Sequence, residues 1–135
     1  MRRVLVPFDG SESAKRALQH AIEVAKREPS IELRIVRAFE PPTLRDDDTN
    51  MLDARTHSER YLSPAVEIAR TAGVRFSSEV VVGDIATALV DYAQRAGCEE
   101  ITMGTRGMGA LGNLLMGSVA TKVLQLAQVP VTLVK

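Results

Sequence analysis

The segment Ile101-Thr102-Met103-Gly104-Thr105-Arg106-Gly107, continued by Gly109, Gly112 and then Gly117-Ser118-Val119-Ala120, decides how this chain folds. It opens on a short apolar run, passes through a glycine-rich turn and enters a new pattern. Five of the nine glycines of the protein lie in it. The run predicts a strand over roughly 100–103. Ala120, Val123, Leu124 and Ala127 then recur at helical spacing, which predicts a helix starting at Ser118 with those four facing inward. Strand, loop and helix in that order are the building unit of a parallel α/β sheet.

The same unit repeats on both sides. Val4–Phe8 is an apolar run ended by Asp9-Gly10, and Ala14, Ala17, Leu18, Ala21, Ile22 and Ala25 share one helix face behind it. Ser11 or Asp9 is placed to cap that helix, with Glu12 completing a capping box from Asp9. Pro29 ends it, and Ile31–Phe39 predicts a second strand. Glu40–Asn50 holds Pro41, Pro42 and Asp46-Asp47-Asp48 and predicts a solvated loop. Leu62, Ala65, Val66 and Ala69 mark a second helix, where Pro64 predicts a kink or a fresh start capped by Ser63. After Gly73, Val74–Val82 predicts the third strand. Gly83-Asp84 then opens a helix with Ile85, Ala88, Leu89, Tyr92, Ala93 and Ala96 on one face, ended by Gly97. Val129–Val134 predicts the last strand. Five strands alternating with four helices give one α/β domain over 1–135, a doubly wound, mainly parallel five-stranded sheet of Rossmann-like type with right-handed crossovers.

Composition narrows the functional classes. The chain has 135 residues, near the commonest size of a single domain. Hydrophobic residues make up 45% and charged residues 25%, as in an ordinary globular protein with a buried core. Seventeen basic residues balance 17 acidic ones, which removes the long-range attraction expected of a nucleic-acid or membrane-surface binder. Trp is absent and aromatics are 4%, poor equipment for stacking single-stranded bases. The one cysteine, Cys98, has no internal partner, and no apolar run has the length of a signal peptide or a membrane span. Cytoplasm is the expected compartment.

The glycine-rich loop carries the chemistry. Ligands of open α/β sheets sit beyond the carboxyl ends of the strands, near a switch in strand order. Glycines let backbone amides approach an anion, the start of a helix adds free amides and a positive dipole end, and Ser118 adds a hydroxyl. The alternative is a loop whose Ser118 only caps its helix. It is not a standard P-loop, because no Gly-Lys-Ser/Thr follows the glycines, and Lys122 comes a turn later. Elsewhere no nucleophile stands beside a base and no His or Cys has metal-ligand spacing, so neither catalytic nor metal-ligating residues are assigned. His20 and His57 read as solvated, Cys98 as a small buried residue, and the acidic triplet and Glu99-Glu100 as surface.

The spacing Gly104, two residues, Gly107, nine residues, Gly117-Ser118 resembles the nucleotide-binding pattern of the ATP-binding universal stress proteins. Val4-Leu5-Val6-Pro7-Phe8-Asp9-Gly10-Ser11 is similar to that family's first strand and turn, Val80-Val81-Val82-Gly83-Asp84 to the end of its third strand, and Val129-Pro130-Val131 to its last. The likeness spans the chain and is weakest over 39–60. It implies a sheet of the adenine nucleotide alpha hydrolase-like kind that binds ATP or another adenine nucleotide, with Mg2+ or Mn2+ on the phosphates. It implies that Pro7 and Asp9 line the nucleoside pocket, that Ala38 offers backbone groups to the base and that Val82 and Gly83 pack along it. Gly104 and Gly107 would hold ribose and phosphates, Gly117, Ser118 and Val119 would bind phosphates, and Arg106 would pair with them or face solvent. It further implies a regulatory stress-response role with slow hydrolysis at most, and a homodimer through Val129–Val134. An adenylating enzyme of the adenine nucleotide alpha hydrolase type is the alternative. Such enzymes carry Ser-Gly-Gly-x-Asp-Ser where this chain has Phe8-Asp9-Gly10-Ser11-Glu12-Ser13. A receiver-like phosphoacceptor is the third reading, which Asp9 and Asp84 fit only in part.

Overall fold

The structure is a computed structural model and describes residues 1–41, 48–106 and 116–135. Its elements alternate as β1 (Arg2–Pro7), α1 (Glu12–Arg27), β2 (Ile31–Phe39), α2 (Asp48–Ala72), β3 (Arg75–Val82), α3 (Ile85–Arg95), β4 (Glu100–Gly104), α4 (Ser118–Leu126) and β5 (Val131–Val134). The five strands form one sheet in the order β3-β2-β1-β4-β5, and every pair is parallel. The chain runs outward from β1 to β3, crosses back to β4 beside β1, then continues to β5. The switch in strand order therefore falls between β1 and β4, where a cleft must open because the flanking loops depart in opposite directions.

Side-chain alternation along each strand sends residues to two cores. Val4, Val6 and Ile35 pack under Leu18 and Ile22 of α1 and Leu62 and Ala65 of α2. Leu5, Val36, Ile101 and Met103 pack under Leu89 and Tyr92 of α3 and Val123 of α4. Leu5, Val6, Leu33, Ile35 and Val36 are fully buried, so β1 and β2 are covered on both faces, as a parallel sheet requires.

Several expectations are corrected. The last strand begins at Val131 rather than Val129, since the Pro130 carbonyl accepts from the Ile101 amide (3.0 Å) before regular pairing begins. The third strand starts at Arg75, not Val74. Helix α2 runs unbroken through Pro64 with no fresh start at Ser63, and it begins at Asp48, inside the stretch expected to be loop. Pro64 and Ser63 are exposed while Leu62, Ala65 and Ala69 are buried; the core contacts of those three offset the roughly 3 kcal/mol cost of an internal proline. Pro42, Asp46 and Asp47 lie outside the described residues. Leu124 faces out (41% exposed) because the short α4 presents only Ala120 and Val123 to the core. No helix among the described residues is long and apolar enough to cross a membrane.

Candidate functional site

At the carboxyl end of β1, the chain turns into α1 through a set of short polar contacts. Phe8 is buried, and its amide donates to the Val36 carbonyl (2.9 Å), tying the end of β1 to β2. Asp9 Oδ1 accepts from the Ser11 amide (2.9 Å), and Ser11 Oγ accepts from the Ala14 amide (3.2 Å), so Ser11 is the cap. The box expected between Asp9 and Glu12 does not form. Gly10 takes φ +85° to make the turn, a conformation that a side chain would strain.

The end of β4 docks on this turn. A Cβ at Gly104 would strike Ser13 Oγ and lie 2.7 Å from the Ser13 carbonyl carbon and 2.8 Å from the Ala14 nitrogen, so strand and helix meet at backbone distance. Ser13 and Ser11 (3.3 Å) both donate their hydroxyls to the Arg106 carbonyl, and the Arg106 amide donates back to Ser13 Oγ (3.3 Å). Ser13 is 5% exposed, and these bonds satisfy it.

The start of α4 is built differently. Gly117 is its N-cap, with no side chain to bond the first amides, and the first turn carries no acidic residue. The Gly117 amide donates to the Thr105 carbonyl (2.6 Å), and the Thr105 amide donates to the Val134 carbonyl (2.9 Å). Intrahelical bonding begins with the Thr121 amide on the Gly117 carbonyl (3.0 Å). The amides of Ser118, Val119 and Ala120 thus have no partner among the described residues. At α3, by contrast, Asp84 caps through Thr87 (amide 3.2 Å, hydroxyl 2.8 Å) and pairs with Lys122 Nζ of α4 at 2.8 Å. The Lys122 ammonium and the Thr87 donors hold the Asp84 carboxyl down to about 2.

Between these elements lies a cleft of about 130 Å³ at the switch point. Of the residues singled out in the sequence, Pro7, Asp9, Ala38, Gly104, Arg106 and Val119 line it together. Val82 and Gly83 do not: Val82 ends the edge strand β3 and Gly83 follows it, its amide bonding the Phe39 carbonyl (3.0 Å). Gly117 and Ser118 stand at the start of α4 beside the lining rather than in it. Gly107, with Gly109 and Gly112, lies outside the described residues. The cleft also takes Val36, Ile85, Leu89 and Met103, which sequence reading left in the core or did not single out. The four-residue spacing of Ile85 and Leu89 on one helix face was visible, but only the strand order shows that this face looks onto the cleft. Arg37 was missed as well. It lines the cleft, and its guanidinium lies 4.2 Å over the Tyr61 ring. Cys98 is buried, and burial pushes its thiol up, which keeps it un-ionised and unreactive. Among the described residues no three His, Cys, Asp or Glu side chains gather as a metal centre needs.

A parallel sheet ordered 3-2-1-4-5, with a cleft at its switch point and a helix start without a side-chain cap beside it, defines a doubly wound α/β domain. The Universal stress protein family matches residues 1–135, and the chain belongs to that family. A universal stress protein of Thermus aquaticus, named for the QAH/OAS sulfhydrylase 3′ region, is 34% identical over 139 residues, covering 99% of this chain and 98% of its own. A universal stress protein solved in complex with cAMP superposes with a TM-score of 0.79 at 25% identity, over 99% of this chain and 97% of that one. The universal stress protein from Archaeoglobus fulgidus in complex with dAMP gives 0.77 at 26%, over 100% and 98%.

Proposed function

We propose that this chain binds an adenine nucleotide, ATP foremost, in the switch-point cleft, and that it acts as a regulatory stress-response factor with slow hydrolysis at most. The observation that carries this reading is the adjacency of two complementary surfaces. An apolar wall of Val36, Ala38, Leu89 and Met103 suits a flat base, and beside it α4 opens on three amides without partners among the described residues. An anion at such a helix start is favoured by up to about 2 kcal/mol in a partly buried setting. The cAMP and dAMP bound by similar proteins are of the ligand class that such a pairing selects.

In this reading Pro7 and Asp9 flank the nucleoside, Ala38 presents its backbone to the base, and Val82 and Gly83 stand behind it. Gly104 keeps β4 close enough for the sugar to lie over the strand ends, and Gly107 and Arg106 follow along the phosphates. The Ser118 and Val119 amides and the Ser118 hydroxyl take the phosphate oxygens. Gly117, whose amide already serves Thr105, contributes by lacking a side chain. Mg2+ or Mn2+ would ride on the phosphates, neutralising their charge. The protein works in the cytoplasm as a homodimer paired through the residues 129–134, which include the edge strand β5.

Calorimetry on ligand-stripped protein tests this with ATP, ADP, AMP and adenosine. Affinity should rise with phosphate number, and Gly117→Val should abolish ATP binding while circular dichroism stays native. Adenosine binding as tightly as ATP would remove the phosphate role of α4, and no binding by any of the four would remove the nucleotide reading. Mass spectrometry of small molecules that co-purify identifies the natural occupant.

A further inference from the structure

The sheet has a second edge, β3, twice as long as β5 at eight residues against four. Its backbone groups alternate in direction. The Gly83 amide reaches across to the Phe39 carbonyl of β2, so the odd-numbered residues of this strand turn toward β2 and the even-numbered ones turn outward. Val80 fits that alternation: Arg55 Nη1 of α2 covers its outward carbonyl at 3.4 Å. The outward groups of Phe76 and Ser78 have no partner among the described residues.

The residues around these two open positions read Arg75-Phe76-Ser77-Ser78-Glu79. Arg75 and Glu79 are both exposed, lie on the same face of the strand, and make no ion pair among the described residues. We propose that β3 pairs antiparallel with β3 of a second copy of this chain about a two-fold axis through Ser77. In that register Phe76 faces Ser78 of the second copy in hydrogen-bonded pairs, using the four outward groups that are open. Ser77 faces its twin, and Arg75 faces Glu79 of the second copy, twice, at the closer non-hydrogen-bonded sites.

Other two-fold centres are worse on stated grounds. A centre at Arg75 or at Glu79 sets like charges face to face, and a centre at Ser78 calls on the Val80 carbonyl that Arg55 already occupies. A centre at Phe76 leaves Arg75 opposite Ser77 and its charge unanswered. The isologous arrangement closes on itself, and it answers the exposure of a long strand edge. Because β3 and β5 are opposite edges, this contact adds to any pairing at β5 and gives species larger than a dimer when both operate.

The test introduces Ser77→Cys into the full chain, where native Cys98 is buried. Mild oxidation should yield a 77–77 disulfide between copies, mapped by mass spectrometry, well above the background of an exposed control, Gln94→Cys. Independently, Arg75→Glu and Glu79→Arg should each weaken self-association several-fold in sedimentation equilibrium, and the double exchange should restore it. Leu133→Asp, placed on β5, should leave this association in place. No excess disulfide, or single reversals without effect, or a double exchange that fails to recover, overturns the proposal.

Discussion

Two helices start on either side of the switch-point cleft, one with a side-chain cap and one without. Helix α1 caps its start with a side chain: Ser11 bonds the Ala14 amide, Asp9 bonds the Ser11 amide, and Ser13 and Ser11 donate their hydroxyls to the Arg106 carbonyl. Helix α4 has a glycine cap, no acidic residue in its first turn and three amides without partners among the described residues. Both starts belong to the same fold and stand within one loop of each other. A capped start is worth about 1 kcal/mol to the protein, so a bare one gives up stability at that point. In the proposed function the difference assigns recognition to α4 and scaffolding to α1, although both turns contain serine and glycine.

The largest effect comes from making α4 resemble α1. Gly117→Asp supplies a cap and a carboxylate where the proposed phosphate would lie. It should abolish ATP binding in calorimetry while stability in urea holds or rises by a few tenths of a kcal/mol. Binding that survives would show the open amides are not the recognition element. Next, Gly104→Ala forces β4 away from the first turn of α1, and an overpacked contact of this kind costs about 1–3 kcal/mol, read from the urea midpoint. An unchanged midpoint would mean that the two starts are not held together through this contact. Ser11→Ala then opens the start of α1 and should cost about 1 kcal/mol in the same assay. Nucleotide affinity should fall far less than with Gly117→Asp, since Ser11 lines the cleft but caps α1 rather than α4.

The smallest effect concerns α3, the third start. Asp84 sits at about 2 instead of its ordinary 3.8. A carboxyl lowered on folding stabilises above its unfolded value and loses that contribution as pH falls through its folded one. The pH window is therefore about 4 down to 2, and the effect is small because the pair is exposed. Lys122→Met should move the Asp84 titration, followed by carboxyl NMR, upward toward 3.8. A titration that stays near 2 would assign the shift to Thr87 alone.

Much of this was legible in the sequence, and the failures have physical causes. Ile31–Phe39 was read to the residue because Ile31, Leu33 and Ile35 alternate with Glu32 and Arg34 before a more apolar stretch, between Pro29 and Glu40. The class and the parallel alternation followed from spacing alone. Of the two outcomes expected at Pro64, the fresh start does not occur, since a local rule about proline cannot see the burial of Leu62 and Ala65 that carries the helix past it. In the cleft, Pro7 and Asp9 were reached through the family resemblance and Gly104 through the glycine-rich loop as well. Arg37, Ile85 and Leu89 were not, because a residue on a strand end or a core face becomes part of a cleft only through the crossover that sets β4 beside β1.

Thr105 has its amide on the terminal carbonyl of β5 and its own carbonyl on the cap of α4. The outermost strand and the mouth of the cleft are therefore linked by a two-bond relay made wholly of peptide groups. If the proposed function holds, a change of pairing at the rim of the sheet would reach the nucleotide's doorway through that relay. Side-chain replacement would pass over it unnoticed, whereas an ester in place of the amide at position 105 would cut it.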